Sequence, residues 1–225
     1  MKKCVIYTCI VGSYDELQQP AAVDPDFDFV CFVGKGEKSA DRNGVWELRE
    51  FDCGLDDPRL VSRYPKMHPH VLLPEYEASV WIDGNVRIMD STIYEVTRAK
   101  LASGVLYSGV SHPGRKSLYT EAWAGWRKVH RISPWNMLHV WVWLFLHGMP
   151  FRSGLMENNL IFRRHLDPKV VRLDEMWWDR LFDLSLRDQL SFMWCLRECG
   201  IPVDYLLPFG WNTRNHPGFK YLLHK

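Results

Sequence analysis

The sequence predicts an α/β fold, with a mixed and mostly parallel sheet flanked by helices. Short β-branched or aromatic runs bounded by Gly, Pro or Asp are typical of buried strands, and longer segments of helical character separate them. The chain has 225 residues, of which 47% are hydrophobic and 24% are charged. That length and composition are sufficient to bury the core of such a fold.

Five strands are predicted. The segments at residues 4–11, 28–33, 79–83 and 105–110 are apolar enough to be buried on both faces. The segment at 45–50 alternates between apolar and polar residues and is expected nearer an edge. The N-terminal MKKCVIYTCIVGSYDE has only a short apolar run, which contains Tyr and Thr and leads to no cleavage site. We therefore expect a first strand there and not a signal peptide.

Five helices are predicted, at residues 58–73 with a proline interruption, 92–103, 133–147, 168–184 and 185–199. Thr92 and Ser133 are suitable N-caps, and Pro134 suits a first helical position. The most apolar segment, MLHVWVWLFLHGM, lies at the third of these helices and is too short to span a bilayer. It belongs either to the core or on a membrane surface, and the core is the favoured alternative.

Composition limits the classes of function. The formal net charge is +1, whereas proteins that bind nucleic acids usually carry a basic excess, so we expect no nucleic-acid partner. Aromatic residues make up 14% of the chain, including 11 Trp; most will serve the core, but their flat faces also suit sugar rings and bases. The 6 Cys show no metal-binding spacing, so we expect small buried side chains and a reducing compartment.

A ligand site is expected where the strands end. In open α/β sheets, ligands bind outside the carboxyl ends of the strands. The central strand ends in Asp83-Gly84-Asn85, whose two side-chain oxygens can face one Mg²⁺ or Mn²⁺ ion. His216, in a loop near the C-terminus, could add an imidazole. Asp-Gly and Gly-Asn are also turn dipeptides, so an ordinary turn at Asp83 and an ordinary tail around His216 are the alternatives.

Other residues could contact an anionic ligand. Arg59, Arg63 and Lys66 have helical spacing upstream of Asp83 and could neutralise a diphosphate, although a solvated basic helix face is the simpler alternative. Gly12 follows the first strand and allows a close approach of the backbone. The chain lacks both the G-x-G-x-x-G and the G-x-x-x-x-G-K fingerprints.

Two polar clusters lie among apolar residues. Glu157, Asn158 and Asn159 must either form an internal network or face a cavity, because buried polar groups need partners. Asp188 and Gln189 lie at a predicted helix start, where an acidic residue is also favoured by the helix dipole.

Six segments, in order and over most of the chain, resemble a family of glycosyltransferase-like domains that includes plant mucilage and pectin glycosyltransferases and bacterial proteins. The segments are YTCIVGSYDEL, DFVCFV, SRYPKMHPHVLLPEYEASVWIDGN, SHPGRKSLYTEA, GLMENNLIFRRH and SLRDQLSF. The sequence is more distantly similar to GT-A transferases of the glycogenin-like family. The resemblance implies a GT-A-like fold in one domain, 1–225, with a nucleotide-sugar half at 1–110 and an acceptor half at 111–225.

The resemblance also implies roles for individual residues. Asp83 and Asn85 match a D-x-D motif, Asp188 and Gln189 match a D-Q pair, and His216 loosely matches a C-terminal metal ligand. Asn85 departs from the motif and leaves open a metal-independent or impaired reaction. The predicted site comprises donor-binding Thr8, Gly12, Tyr14, Arg63, Lys66, Asp83, Gly84 and Asn85, metal-binding Asp83, Asn85 and His216, and catalytic Glu157, Asp188 and Gln189.

The implied function is transfer of a sugar, as by a hexosyltransferase, from a nucleotide sugar such as a UDP-sugar to a glycan or lipid-linked saccharide. Mn²⁺ or Mg²⁺ would assist, and the D-Q pair leans toward retention of configuration. Bacterial relatives imply polysaccharide biosynthesis in the cytoplasm, at the inner face of the membrane, with peripheral membrane association. The alternatives are a non-catalytic nucleotide-sugar or glycan-binding module and a metal-dependent phosphoesterase, which would need a denser carboxylate cluster.

Overall fold

The structure is a computed structural model that describes residues 2–12, 16–128 and 130–223, without the side chain of Lys2. The central sheet has seven strands, which are β1 (Lys2–Ile10), β2 (Asp28–Val33), β3 (Arg42–Asn43), β4 (Trp46–Glu50), β5 (Tyr76–Ile82), β7 (Tyr107–Ser111) and β8 (Met156–Arg163). Their spatial order is β3-β4-β2-β1-β5-β8-β7. A separate antiparallel pair consists of β6 (Val86–Ile88) and β9 (Phe219–Tyr221).

The sheet is mixed, and five of its seven strands run in one direction. Strands β4, β2, β1 and β5 are mutually parallel, whereas β8 runs antiparallel between β5 and β7, and β3 is antiparallel at the edge. The predicted fold class, a mixed and mostly parallel sheet flanked by helices, is confirmed. Because β8 is antiparallel to β5, its first residues lie beside the carboxyl ends of β1 and β5.

The helix Thr92–Ser103 matches its predicted range, the helix Leu118–Arg127 was not predicted, and the others differ from the predicted helices at their ends. They are α1 (Pro58–Met67), α2 (Pro69–Leu72), α3 (Thr92–Ser103), α4 (Leu118–Arg127), α5 (Pro134–Leu146), α6 (Pro168–Asp183) and α7 (Phe192–Glu198). Ser133 caps α5 as predicted, with its hydroxyl accepting from the Asn136 N–H at 3.0 Å. The N-cap of α3 is Ser91 and not Thr92, which is already helical. A 3-10 turn, Asp188–Leu190, precedes α7, so the predicted helix over 185–199 begins late.

Two hydrophobic cores cover the two faces of the sheet. One contains Tyr7 and Trp81 of the sheet together with Trp177 of α6, and the other contains Phe29 of β2, whose ring contacts that of Tyr94 in α3. The six cysteines are free, and four of them are buried.

Helix α5 does not fit the expectation of a core helix. Only Val140 and Leu144 are buried among its residues, and much of its apolar outer side faces solvent. Among the described residues, no helix is long and apolar enough to cross a membrane.

Candidate active site

A large cleft of about 1270 Å³ opens where β1 and β5 end and β8 begins. Its floor includes residues 9–11 after the buried part of β1, Asp83 and Gly84 after β5, and residues 157–159 of β8. Helix α1, the loops at 112–115 and 185–189, and the start of α5 form its walls. Pockets for one small molecule usually measure about 300–1,000 Å³, so this cleft has room for two substrates side by side.

Positive charge dominates the cleft. Seven Lys and Arg side chains line it, against three carboxylates. The cations are Arg59, Arg63, Lys66, Arg115, Arg131, Arg187 and Arg214, and the carboxylates are Asp83, Glu157 and Asp188. A concave wall of one predominant charge concentrates ligands of the opposite charge. The net charge of the whole chain hides this feature because acidic residues elsewhere balance it.

Lys66 lies at the centre of the charged wall. Its buried Nζ is 2.9 Å from Oδ2 of Asp188 and 3.6 Å from Oδ1 of Asp83. Burial by itself would raise the pKa of Asp188, but the charges of Lys66, Arg63 and Arg187 outweigh it and lower that pKa to about 2. Asp188 therefore remains ionised, and Lys66 is held between two carboxylates at the cleft surface.

Asp83 belongs to a turn and also faces the cleft. The Val86 N–H donates to the Asp83 carbonyl at 2.9 Å, which closes a turn between β5 and β6. The indole N–H of Trp81 donates to Oδ1 of Asp83 at 2.7 Å and fixes that carboxylate. Asn85 points the other way. Its side chain is buried, and Nδ2 donates to the Leu222 carbonyl at 2.8 Å.

The three predicted metal ligands do not come together. Asp83 lines the cleft, whereas Asn85 and His216 are not among the cleft-lining residues. Nδ1 of His216 accepts from the Gly218 N–H at 3.0 Å. Among the described residues, no group of three or more His, Cys, Asp or Glu side chains is placed to hold a metal ion. The three predicted ligands therefore do not converge on one point in this structure, and the metal site stays a prediction.

The wall formed by β8 carries polar atoms that have no hydrogen-bond partner in the part of the chain that the structure describes. Oε1 of Glu157 accepts from Nη2 and Nε of Arg214 at 2.6 and 3.0 Å. Among the described residues, Oε2 of Glu157, Nδ2 of Asn158 and Oδ1 of Asn159 are buried and have no hydrogen-bond partner. Burial raises the pKa of Glu157, and Arg214 opposes that rise. Buried polar atoms normally have partners, so this wall is suited to a hydroxyl-rich ligand.

Glu121 organises two arginines on the opposite wall. It is fully buried in α4 and accepts hydrogen bonds from the guanidinium groups of Arg115 and Arg187. His112 lies beside it, with Nδ1 accepting from the N–H groups of Gly114 and Arg115 at 3.1 and 2.9 Å. Burial lowers the pKa of His112 to about 4, against the opposing charge of Glu121. His112 is therefore neutral near pH 7, with its proton on Nε2.

Most of the predicted site residues line the cleft. These are Arg63, Lys66, Asp83, Gly84, Glu157, Asp188 and Gln189. Thr8 is buried inside β1 and does not line the cleft, whereas residues 9–11 do. Gly12 also lies outside the cleft lining; it has φ of +66°, and its N–H donates to Oε1 of Glu37 at 2.9 Å. Tyr14 lies outside the described residues.

Sequence reasoning gave no role to several cleft residues. His112 and Arg115 follow the end of β7, Glu121 lies buried in α4 behind the cleft lining, and Arg214 comes from a loop near the C-terminus. The first three lie within SHPGRKSLYTEA, which contributed to the family resemblance, so that segment was the available signal.

The fold and site define an α/β protein with a cationic cleft at the carboxyl ends of its central strands. The family model described as TOD1/MUCI70, glycosyltransferase-like domain, matches residues 1–203. The chain therefore belongs to this family and contains a glycosyltransferase-like domain.

Two relatives from Arabidopsis thaliana are each 21% identical and match 85% of this chain. One is named alkaline ceramidase TOD1 and is covered over 48% of its length; the other is named probable hexosyltransferase MUCI70 and is covered over 37%. The chain thus spans half or less of each. The apo structure of the WbbM bifunctional glycosyltransferase has a TM-score of 0.48 at 13% identity, covering 94% of this chain and 39% of that one. Mouse xyloside xylosyltransferase 1 has a TM-score of 0.47 at 11% identity, covering 90% and 84%.

Proposed function

We propose that this chain transfers a hexose from a nucleotide sugar, in the first place a UDP-sugar, to a hydroxyl of a glycan or lipid-linked saccharide. The observation that carries the proposal is the pairing of two walls across one cleft. One wall is cationic around Lys66, and the other presents buried polar atoms of β8 that have no partner among the described residues. A nucleotide sugar has matching parts, an anionic diphosphate and a hydroxyl-rich ring. Family membership supports glycosyl transfer in general.

The cationic wall would hold the donor diphosphate. Breaking the bond between sugar and phosphate develops negative charge on the leaving diphosphate, and preorganised cations stabilise that charge. Lys66 is fixed by Asp188, and Arg63 lies on the same helix. Arg187 is fixed by Glu121 on the facing wall. Metal assistance by Mn²⁺ or Mg²⁺ stays a prediction of the family resemblance, and these side chains provide positive charge without it.

The β8 wall would hold the sugar and the acceptor. Oε2 of Glu157 is buried and has no hydrogen-bond partner among the described residues, and burial raises the pKa of this carboxyl. It is therefore suited to accept the proton of an acceptor hydroxyl as a general base. Asn158 and Asn159 can orient neighbouring hydroxyls, which places the acceptor oxygen against the anomeric carbon.

Retention of configuration is part of the proposal, on the resemblance of Asp188-Gln189 to a D-Q pair. It requires the acceptor oxygen to attack the anomeric carbon from the face that the diphosphate leaves, while the hydroxyl proton passes to Glu157. Gln189 lines the cleft beside Asp188, and its amide donates to the Met156 carbonyl at the start of β8. The anomeric signal of the first-formed product in a proton NMR time course decides this point. An inverted product would overturn retention and leave sugar transfer intact.

The first experiment is a thermal-shift and calorimetric screen of nucleoside diphosphates and nucleotide sugars, each with Mn²⁺ and with EDTA. A ligand that binds only the folded state raises its stability, so one donor class should shift the midpoint. Turnover of that donor is then followed by chromatography. Glu157→Gln should reduce turnover by about 10²–10⁴-fold and leave donor affinity nearly unchanged.

Glu198→Gln is the matched control, because Glu198 is exposed on α7. It should leave both turnover and affinity unchanged. Tight diphosphate binding without turnover of any donor would replace the enzyme by a nucleotide-sugar-binding module. Absence of any shift would overturn donor binding altogether.

Hydrolysis of a lipid amide is the second candidate. It is favoured by the name of one relative, alkaline ceramidase TOD1, and by the exposed apolar helix α5 beside the cleft. Release of a fatty acid from ceramide by this chain, lost in Glu157→Gln and independent of any nucleotide sugar, would support it over sugar transfer.

A further inference from the structure

Helix α5 and the segments on either side of it form an exposed surface of aromatic, aliphatic and cationic side chains, here called the α5 surface. Its exposed members are Trp123, Arg127, Lys128, Arg131, Trp135, Leu138, Val142, Phe145, Leu146, Phe151 and Arg152. Contiguous apolar groups of this kind are rare on soluble monomers and usually mark an interaction site.

The helix lacks the polar outer side that a surface helix normally has. Of its 13 residues, only Asn136 and His139 are polar. Val140 and Leu144 enter the core, and on the outward side Phe145 and Leu146 are 68% and 73% exposed. A helix that is apolar all round is expected to be covered on all sides. Because the described chain covers only one side, something else must cover the other.

Charge indicates what covers it. Between residues 122 and 156 the chain contains no Asp or Glu, whereas Arg127, Lys128, Arg131 and Arg152 are exposed there. Nζ of Lys128 lies 5.9 Å from the ring centroid of Trp123, so cations and aromatics are directly adjacent. Exposed aromatics flanked by cations without acids match the apolar and anionic layers of a bilayer surface. A second copy of this surface would instead bring like charges together.

The length of α5 fixes its orientation. Thirteen residues of helix extend about 20 Å, which is short of the ~30 Å hydrocarbon core of a bilayer. The helix can therefore lie along the interface, with Trp135 and Phe145 inserted and the basic residues at the level of the headgroups.

The α5 surface adjoins the cleft. Arg131, Ser133 and Asn136 line the cleft, and Trp135 between them is 78% exposed. We propose that this chain docks on anionic membranes through the α5 surface and takes an acceptor carried by a lipid, whose headgroup enters the cleft at the start of α5. The docking proposal depends only on the composition and exposure of the α5 surface. The proposal of a lipid-borne acceptor also depends on the sugar transfer proposed above.

Vesicle co-sedimentation tests the docking. The chain should sediment with vesicles of phosphatidylcholine and phosphatidylglycerol and much less with phosphatidylcholine alone. Phe145→Ser with Leu146→Ser should reduce the partition coefficient at least tenfold, because two buried apolar side chains are lost from the interface. Arg127→Gln with Lys128→Gln should reduce the binding to anionic vesicles and weaken its dependence on salt.

Val142→Ser and Val23→Ser form a matched pair, since these valines are 48% and 53% exposed. Val23 lies on the opposite side of the sheet, next to Ala22, whose carbonyl accepts from the Tyr94 hydroxyl of α3. Only Val142→Ser should weaken vesicle binding. Equal effects of the two substitutions, or wild-type protein that stays in the supernatant with anionic vesicles, would overturn the proposal. A dimer that Phe145→Ser dissociates would assign the surface to a second copy instead.

Donor turnover in solution separates docking from the proposed function. The Phe145→Ser with Leu146→Ser variant and the Val142→Ser variant should keep donor hydrolysis without vesicles and lose transfer to a lipid-linked acceptor. If vesicle binding is intact and no donor turns over, sugar transfer fails while docking stands. If transfer to soluble and lipid-linked acceptors falls equally in these variants, the lipid-borne acceptor is overturned.

Discussion

Two clusters of charged side chains, one in the interior and one at the cleft, meet at Lys66 and differ in what they face. The interior cluster comprises Arg163, Asp174 and Tyr7, and the cleft cluster comprises Lys66, Asp83 and Asp188. In the first, Nη1 of Arg163 is 2.6 Å from Oδ1 of Asp174, and both side chains are fully buried. In the second, the Asp83 side chain is 35% exposed at the cleft.

The interior cluster therefore supports the fold, whereas the cleft cluster is placed to contact a ligand. Arg163 donates to the Tyr7 hydroxyl at 2.8 Å and also to the backbone carbonyl of Lys66. The interior cluster therefore fixes the end of α1 from below, while the ammonium of Lys66 faces the cleft from above. Interior charge should be needed for stability, and cleft charge for ligand affinity.

Asp174→Ala gives the largest expected effect. It leaves the Arg163 guanidinium buried without its carboxylate, which typically costs about 3–5 kcal/mol of the free energy of unfolding. Urea denaturation measures this loss. Asp183→Ala removes an exposed partner of Arg180 and should cost less than about 1 kcal/mol. If Asp174→Ala lowered the free energy of unfolding by a similarly small amount, interior charge would be no more important for stability than surface charge.

Two histidines, one in each region, predict how stability depends on pH. Burial lowers the pKa of cleft-wall His112 and of interior His165 to about 4. In the unfolded chain these two histidines titrate near pH ~6.5. Between that pH and about 4 they therefore bind more protons in the unfolded chain than in the folded one. The contribution of each histidine to the free energy of unfolding therefore falls as pH drops through this window, by at most about 3 kcal/mol. Asp174 contributes in the opposite direction, because burial raises its pKa to about 7.

Urea denaturation at several pH values across this window tests the sign. His112→Gln and His165→Gln should each remove the contribution of that histidine to the pH dependence, and only the first should also alter ligand affinity. A pH dependence that is the same in wild type and in both variants would show that folding does not shift the pKa of either ring.

Lys66→Met tests the cleft cluster. A hydrogen bond from a charged donor to a phosphate should be lost, so the Kd for the nucleoside diphosphate should rise about 10- to 100-fold. Isothermal titration calorimetry measures it. Lys100→Met is the matched control, because Lys100 is also partly buried and paired with a carboxylate, that of Asp204. Equal affinity in wild type and Lys66→Met would remove Lys66 from the donor site.

The fold was predictable where burial leaves a simple pattern. The apolar runs of β1, β2 and β5 identified the centre of the sheet, and α3 matched its predicted range. Strand β8 was not predicted because Glu157, Asn158 and Asn159 interrupt its apolar run, although all eight of its residues are buried. The polar residues that give the cleft its chemistry are the same ones that hid the strand.

The site was predictable where chemistry follows local spacing. Arg63 and Lys66 lie on one helix, and Asp83 follows the central strand, so all three were placed correctly at the cleft. Glu121 and Arg214 approach from remote segments, and no local pattern relates them to the strand ends. The direction of Asn85 depends on its contact with Leu222, 137 positions further along the chain.

Asn85→Ala gives the smallest expected effect and tests that direction. It removes the hydrogen bond to the Leu222 carbonyl, which should cost about 1 kcal/mol of the free energy of unfolding. Donor affinity and its response to Mn²⁺ should not change, because the side chain faces away from the cleft. Asp83→Ala should do the reverse, with weaker donor binding and nearly unchanged stability. If Asn85→Ala instead abolished a Mn²⁺-dependent shift in the thermal midpoint, Asn85 would be a metal ligand, and the turn would have to rearrange when the donor binds.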